Sequence, residues 1–208
     1  MKILAVAKNY IKHIDEMSQK LDTSKDVPTS PIFFLKGDAV HRDGFPFFYP
    51  DLSNEIEYET EIVVKIDRIG KYIDEKFAHR YYSEITVGLD LTARDLQREA
   101  KAKGLPWMTS KAFEDSAIVG KWFPKEMFLD VNNIDFHLNI DGKVVQKGNT
   151  KDMIFSIDRL IAEASRIFPL RMGDLIYCGT PSGVGPIKIG QQIEGYIANN
   201  KAFTFSVK

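Results

Sequence analysis

Residues 56–66 read IEYETEIVVKI, and they predict the central strand of the protein. Apolar and polar side chains alternate along this stretch, which indicates one long, half-buried strand. Shorter runs of strand character lie on both sides of it, at residues 3–6, 32–35, 85–89, 136–140, 143–146, 175–178, 193–198 and 202–207. Asp141-Gly142 suits a type I′ turn and predicts a β-hairpin, and Asn199-Asn200 separates the last two runs. The chain is therefore expected to be rich in short strands.

Helices are predicted at four places. Residues 154–168 carry apolar side chains at helical spacing, which is typical of an amphipathic helix with one buried face. Residues 93–103 follow Thr92, a suitable N-cap, and end before Gly104. Further helices are expected at 75–82 and 10–21. Because no linker, repeat or low-complexity segment divides the chain, residues 1–208 are expected to form a single domain of the β-rich α+β class.

The composition excludes several classes of protein. Lys and Arg number 28 against 29 Asp and Glu, a formal net charge of −1, so the electrostatic footprint of a nucleic-acid binder is missing. The chain also lacks the uncharged apolar run of about 18 residues that spans a bilayer, and its N-terminal apolar run is too short for a signal peptide. The single cysteine, Cys178, excludes an intramolecular disulfide. A soluble, cytoplasmic protein is expected.

Four glutamates occupy every second position, at Glu55, Glu57, Glu59 and Glu61. In an extended chain such residues project from one face, where like charges repel. The face is either solvated and protects an edge strand from aggregation, or it binds a divalent cation that neutralises two of the carboxylates. Asp90 ends an apolar run and is either a helix cap or a site residue. Carboxylate ligands without a Cys cluster or paired His favour Mg²⁺ or Mn²⁺ over zinc.

Two other patterns could carry chemistry. His13 and Glu16 stand three residues apart, so on a helix they form either a surface salt link or a pair in which the carboxylate makes the imidazole a general base. The glycine-rich stretch 179–186 follows a predicted strand. It is either a tight connection between strands or a loop that turns backbone N–H groups toward an anion. Cys178 beside it is expected to be a small buried thiol.

Taken in order, several segments resemble the fumarylacetoacetate hydrolase family. They are Asn9-Tyr10-x-x-His13-x-x-Glu16, Phe34-Leu35-Lys36, Glu57-x-Glu59-x-Glu61, Leu89-Asp90-Leu91-Thr92-Ala93-Arg94-Asp95-Leu96-Gln97, Gly104-Leu105-Pro106-Trp107 with Lys111-Ala112-Phe113, Met153-Ile154-Phe155-Ser156, and Gly179-Thr180-Pro181-x-Gly183-Val184-Gly185-Pro186. The likeness covers nearly the whole chain. It looks closest to the single-domain acylpyruvase and oxaloacetate decarboxylase branch.

The resemblance implies a role for each matching residue. The implied ligands of Mg²⁺ or Mn²⁺ are Glu59, Glu61 and Asp90, with Glu57 outside the ligand set; the implied catalytic residues are His13, Glu16 and Lys111, and the implied substrate-binding residues are Lys36, Arg94, Gln97 and Thr180. His13 and Glu16 would activate water on a mobile lid within residues 1–25. The implied fold is a mixed β-sandwich roll with flanking helices, and the implied assembly is a homodimer.

The activity implied by the resemblance is that of a metal-dependent enzyme acting on small 2-oxo acids with a pyruvoyl group. The metal would stabilise a pyruvate enolate. Hydrolysis of the C–C bond of an acylpyruvate is the first expectation, and decarboxylation or keto–enol tautomerisation of oxaloacetate or another 2-oxo dicarboxylate is the alternative. A non-catalytic 2-oxo acid binding protein, or a structural protein with an acidic strand, are the non-enzymatic alternatives.

Overall fold

The computed structural model describes residues 1–21 and 25–208, and strands dominate them. The strands are β1 (Ile3–Ala7), β2 (Ile32–Leu35), β3 (Ile56–Tyr58), β4 (Thr60–Ile66), β5 (Tyr82–Asp90), β6 (Thr92–Ala93), β7 (Ala117–Val119), β8 (Phe123–Pro124), β9 (Asp135–Ile140), β10 (Lys143–Asn149), β11 (Leu175–Tyr177), β12 (Gly185–Pro186), β13 (Gln192–Ile197) and β14 (Asn200–Ser206). The helices are α1 (Ile11–Leu21), α2 (Glu75–Ala78), α3 (Arg94–Ala102), α4 (Met108–Lys111) and α5 (Ile157–Ile167), and single 3₁₀ turns cover Lys125–Met127 and Thr150–Asp152. The β-rich α+β class is confirmed.

The strands form three sheets. The largest has the order β2-β1-β11-β4-β5-β7, with β8 also paired to β5. Within it β1 and β11 are parallel and the other pairs are antiparallel, so the sheet is mixed. A second sheet has the order β10-β9-β13-β14, and a small third sheet has the order β12-β3-β6. The apolar side chains of β4, β5, β9 and α5 meet in one buried core, and its burial supplies the main drive to fold.

The predicted strand over residues 56–66 is two strands in two sheets, so that prediction was wrong. The first, β3, pairs with β6 and β12, whereas β4 pairs with β5 and β11. The change of sheet occurs at Glu59, between the two strands. Alternation of apolar and polar residues reports an extended chain, but it carries no information about which neighbour each half pairs with.

The hairpin predicted at Asp141-Gly142 is confirmed, since β9 and β10 pair across these two residues. Their φ angles are 51° and 76°, the positive values that a type I′ turn needs. In the last hairpin the turn is at Ala198-Asn199, one residue before the predicted pair. Asn200 already pairs with Ile197 as the first residue of β14, and Ala198 takes the positive φ of 48°.

The pattern of apolar residues predicted the helices better than the candidate capping residues did. The amphipathic helix is α5, capped by Ser156, whose hydroxyl accepts a hydrogen bond from the Arg159 N–H. The predicted cap of α3 was wrong: Ala93 stands at the N-cap without a side-chain bond, because the Thr92 hydroxyl accepts from Lys111 Nζ instead. The helix predicted at 75–82 ends at Ala78, since β5 begins at Tyr82. No helix in the described ranges is long and apolar enough to cross a membrane; the cytoplasmic location stays a prediction.

Candidate active site

Three carboxylates meet where β4 begins and β5 ends. Glu59 and Glu61 flank the first residue of β4, and Asp90 is the last residue of β5. Antiparallel pairing aligns these ends, and the Asp90 N–H donates to the Glu59 carbonyl at 2.8 Å. One oxygen from each carboxylate lies within 4.8 Å of the other two. All three side chains are buried, with residue exposures of 5%, 1% and 0%, so the acidic row is no solvated face.

Three buried cations, Lys36, Lys111 and Arg94, bind the triad directly. Lys111 Nζ donates to Glu59 Oε2, Asp90 Oδ2 and the Thr92 hydroxyl, each at 2.7 Å. The Arg94 guanidinium donates to Glu59 Oε1 and Glu57 Oε2 at 2.6 Å. Charged hydrogen bonds of this length hold the carboxylates in fixed orientations. Arg94 therefore connects Glu57 to the site, while Glu57 itself stays outside the triad.

The electrostatic environment differs between the acids. Burial would raise the pKa of Glu59, but the charges of Lys111 and Arg94 outweigh it and hold this pKa well below its usual range. Burial, with the charges of Asp90 and Glu59, raises the pKa of Glu61 well above its usual value. Within the described part of the chain, Glu61 forms no ion pair, and it accepts a hydrogen bond from the Gly179 N–H at 2.7 Å. Glu61 is the acid whose charge is least compensated.

The donor set fits a hard divalent cation. At the site, four buried carboxylates face three buried cations: Glu57, Glu59, Glu61 and Asp90 against Lys36, Arg94 and Lys111. Among the described residues, Glu61 is the carboxylate of this set without a cationic partner, and its raised pKa favours the protonated form when no metal ion is bound. Oxygen ligands at this spacing suit Mg²⁺ or Mn²⁺. A buried acidic triad with uncompensated charge is the arrangement that such an ion would neutralise.

A cavity opens onto the triad. Its wall contains seven of the ten residues implicated by the sequence: His13, Glu59, Glu61, Arg94, Gln97, Lys111 and Thr180. Gln97 accepts a hydrogen bond from Arg94 at 2.6 Å, so the two act as one unit.

Lys36, which the resemblance implies to be a substrate-binding residue, lies behind Asp90. Its side chain is fully buried, and Nζ donates to Asp90 Oδ1 and to the Lys111 carbonyl, both at 2.5 Å. Burial lowers the pKa of Lys36, and the charge of Asp90 opposes that shift. Lys36 is not in the wall of the cavity. Its contacts position Asp90 and the backbone of Lys111.

His13 and Glu16 come from α1, which covers one side of the cavity. His13 Nδ1 lies 3.4 Å from Glu16 Oε2, and both Glu16 oxygens accept from the Gly183 N–H, at 3.2 and 3.1 Å. A proton on Nδ1 that points to Glu16 leaves Nε2 able to accept another. The lid predicted within residues 1–25 comprises β1 and α1, and its residues 22–24 lie outside the described residues.

The glycine-rich loop 179–186 connects β11 to β12 and does more than join strands. Its amides at Gly179 and Gly183 donate to two of the protein's own carboxylates, Glu61 and Glu16. Gly179 has a φ of +94°, and a Cβ there would lie 2.6 Å from the Asn9 Cβ, so glycine is required. Cys178, before the loop, is fully buried, as expected.

Two polar residues of the site were not singled out from the sequence. Gln146, on β10, accepts from the Thr60 N–H at 3.0 Å and donates to the Thr180 hydroxyl and the Pro181 carbonyl at 2.9 Å. Nothing in the sequence marks it, because its partners are distant along the chain. Lys101 lines the cavity from α3. It follows Arg94 and Gln97 at helical spacing, a signal that could have identified it.

The comparisons with known proteins agree with this geometry. The family model described as the C-terminal domain of fumarylacetoacetate (FAA) hydrolase matches residues 2–207. The chain belongs to the fumarylacetoacetate hydrolase family. This member is 41% identical to the mitochondrial oxaloacetate decarboxylase of Dictyostelium discoideum, over 93% of this chain and 87% of that protein. It is 38% identical to the mitochondrial oxaloacetate tautomerase FAHD1 of Mus musculus, over 99% of this chain and 91% of that protein.

A solved structure from the family has the same fold. The crystal structure of fumarylpyruvate hydrolase from Pseudomonas aeruginosa, in complex with Mn²⁺ and pyruvate, superposes with a TM-score of 0.89 at 31% identity, covering all of this chain and 89% of that one. The expected family fold is therefore confirmed. The chain is an enzyme of this family, whose named relatives include decarboxylases, tautomerases and hydrolases, and the non-enzymatic alternatives are set aside.

Proposed function

We propose that this protein is a Mg²⁺- or Mn²⁺-dependent enzyme that forms the enolate of a small 2-oxo acid, with oxaloacetate as the first candidate substrate. The observation that carries the proposal is the buried triad of Glu59, Glu61 and Asp90 at the cavity that also contains His13. The names of the relatives support oxaloacetate. The sequence alone had favoured acylpyruvate hydrolysis, which becomes the second candidate.

Each group of the site has a proposed task. The triad would hold the metal ion, whose positive charge lowers the energy of the enolate form of a 2-oxo acid. Lys111 and Arg94 orient the carboxylates, and Lys36 positions Asp90 from behind. Thr180 donates its hydroxyl proton to the Thr60 carbonyl at 2.9 Å. To hold a substrate carboxylate, as the resemblance implies, this hydroxyl must turn toward the cavity.

His13 is the proposed proton carrier. For tautomerisation of oxaloacetate, Nε2 removes a proton from C3 and the C2 oxygen gains one, so that the ketone becomes the enol. For decarboxylation, the C3–C4 bond breaks, CO₂ leaves, and C3 of the enolate takes up a proton to give pyruvate. Glu16 holds the imidazole and is itself held by Gly183. We propose that α1, which carries both residues, closes over the substrate as a lid.

Acylpyruvate hydrolysis is favoured as a second candidate by the assembled pair of His13 and Glu16. In that reaction His13 removes a proton from water and the hydroxide adds to the distal carbonyl. The C–C bond then breaks to give a carboxylic acid and the pyruvate enolate, whose carbon takes up a proton to give pyruvate. Decarboxylation needs no base that activates water. The presence of the His13–Glu16 pair therefore favours a reaction, such as hydrolysis, in which water is a reactant.

Metal removal tests the proposal. Protein treated with a chelator is supplied with oxaloacetate, and enol formation and pyruvate release are followed separately, before and after Mg²⁺ is restored. We expect both to fall to the uncatalysed rate without metal and to recover with it. Unchanged turnover in the metal-free protein would contradict the proposal. Glu59→Gln and Asp90→Asn should abolish turnover and metal binding together.

We also propose a homodimer, as the resemblance implies. The edge strand β2 and the segment 105–108 leave Ile32, Leu35, Leu105 and Met108 between 44% and 67% exposed, and these side chains line one apolar groove. A second copy would cover this apolar surface, which is costly to leave in water. Sedimentation velocity is expected to show a dimer, and a Leu35→Lys/Met108→Lys variant should be monomeric.

A further inference from the structure

Two cations in the wall of the cavity have no acidic partner. Lys8 and Lys101 both line it, and within the described part of the chain neither takes part in an ion pair or a side-chain hydrogen bond. The other two cations of the wall are committed, Arg94 to Glu57 and Glu59, and Lys111 to Glu59 and Asp90. Lys8 and Lys101 therefore contribute positive charge to the cavity wall that no acidic side chain of the described residues neutralises.

Lys101 is held in place by its surroundings. It follows Arg94 and Gln97 on the same face of α3, about 10 Å beyond Arg94 along the helix axis. Its Nζ lies 5.1 Å from the centre of the Trp107 ring, in cation–π geometry. Trp107 in turn contacts the edge of Phe34, with ring centres 6.4 Å apart. An aromatic wall thus keeps this ammonium group at the cavity.

The electrostatics of Lys101 agree with that placement. Burial, together with the charges of Arg94, Lys111 and Lys8, lowers its pKa to about 8 against the opposing charge of Glu59. Lys8 and Lys101 line the same cavity, so their two positive charges face a common space. A second anion placed between them would relieve their repulsion.

Lys8 takes a strained conformation there. Its φ is +59°, a left-handed value that non-glycine residues rarely adopt. It directly follows β1 and lines the cavity. Strain of this kind persists where the surrounding structure enforces it, and it clusters at ligand sites.

We propose that Lys8 and Lys101 form a second anion subsite, which binds a distal carboxylate of the 2-oxo acid and makes a dicarboxylate the preferred class of substrate. This inference rests on the proposed function, because the triad must hold the inner, pyruvoyl end of the ligand. It assigns specificity to residues outside the metal site. The deeper part of the cavity binds the group common to all candidate substrates, and the two lysines select among them.

The test uses two unreactive ligands of equal length, 2-oxoglutarate and 2-oxopentanoate, which differ only in the distal carboxylate. Their affinities for the Mg²⁺-loaded protein are measured by calorimetry. The wild type is expected to bind 2-oxoglutarate about tenfold or more tightly, as a charged hydrogen bond in a partly buried site would give. Lys101→Met keeps the side chain's length without its charge and should reduce this preference to less than about threefold.

Lys103→Met is the matched control. Lys103 follows α3 as its C-cap, and its Nζ pairs with Glu99 on the exposed surface, so this variant should keep the full preference. Lys8→Asn, chosen because Asn tolerates a positive φ, should reduce the preference as Lys101→Met does. Equal binding of the two ligands by the wild type, or an unchanged preference in Lys101→Met, overturns the subsite alone. If the wild type binds neither ligand with Mg²⁺ present, the proposed function fails, and the subsite with it.

Discussion

The Gly179 N–H donates a 2.7 Å hydrogen bond to Glu61 Oε2. Glu61 therefore has a neutral backbone donor, whereas the other two carboxylates of the triad have cationic partners. Glu59 and Asp90 are each bound by an ammonium or guanidinium group. Glu61 shares the triad without such a partner in the described part of the chain. A neutral amide compensates a buried charge far less than a cation does. A metal ion bound at Glu61 would therefore increase the stability of the folded protein by neutralising this carboxylate.

Replacing Glu61 should stabilise the metal-free protein. Glu61→Gln keeps an acceptor for Gly179 but removes the buried charge, so the metal-free variant should be about 1–2 kcal/mol more stable than the wild type at pH 8. Its raised pKa means that the folded state holds a proton that the unfolded chain releases, and the stability this contributes is lost as pH rises through the raised value. Urea unfolding at pH 6 and 8 measures this, and the difference between variant and wild type should be larger at pH 8.

Mg²⁺ provides the control for that comparison. Saturating Mg²⁺ should stabilise the wild type by binding the folded state alone, and it should have little effect on Glu61→Gln. Equal stabilisation of both proteins would mean that Glu61 is not a ligand.

Replacing His13 should separate the candidate reactions. His13→Ala removes the proposed base, so acetylpyruvate hydrolysis should fall by about a hundredfold or more. Oxaloacetate decarboxylation, which needs no activated water, should fall by less than about tenfold. Pyruvate release from each substrate measures both rates. Lys12→Ala, an exposed neighbour on α1, is the control and should change neither. Equal loss of both activities would contradict this division of roles.

Replacing Gln146 should loosen the loop that carries Thr180. Gln146→Leu leaves the buried Thr60 N–H without its acceptor and the Thr180 hydroxyl without one donor. An unsatisfied buried group costs about 1–3 kcal/mol, so the unfolding free energy should fall by at least that amount. Gln192→Leu, at an exposed position of β13, should cost less than about 0.5 kcal/mol. Chemical denaturation measures the unfolding free energies of the two variants and tests this prediction.

The preference for dicarboxylates should depend on pH. Lys101 is charged below its pKa of about 8 and neutral above it, and the charged groups acting on it are Arg94, Glu59, Lys111 and Lys8. The preference of the wild type for 2-oxoglutarate over 2-oxopentanoate should therefore be largest near pH 7 and decline as pH rises toward 9.5. A bound carboxylate raises the pKa of Lys101, which moves the midpoint upward. Lys101→Met should show a ratio that does not change across this range.

Much of the candidate site could be predicted from local pattern. The spacing of Glu59 and Glu61, the position of Asp90 at the end of an apolar run, and the interval between His13 and Glu16 are all properties of residues close together in the chain. The β-rich class followed from the same alternation, because side-chain direction in an extended chain has a period of two. The roles of these residues came from the resemblance and await the experiments above.

The tertiary structure alone decided how these pieces combine. It divided residues 56–66 between two sheets. It placed the Lys36 ammonium group in contact with Asp90, and it brought Gln146 to Thr60, 86 residues away in sequence. Among the described residues, it also left Lys8 and Lys101 without acidic partners in the cavity wall. The sequence determined which chemistry each segment could offer, since periodicity is a local property of the chain. Which cation meets which acid depends on long-range packing, and no local pattern records it.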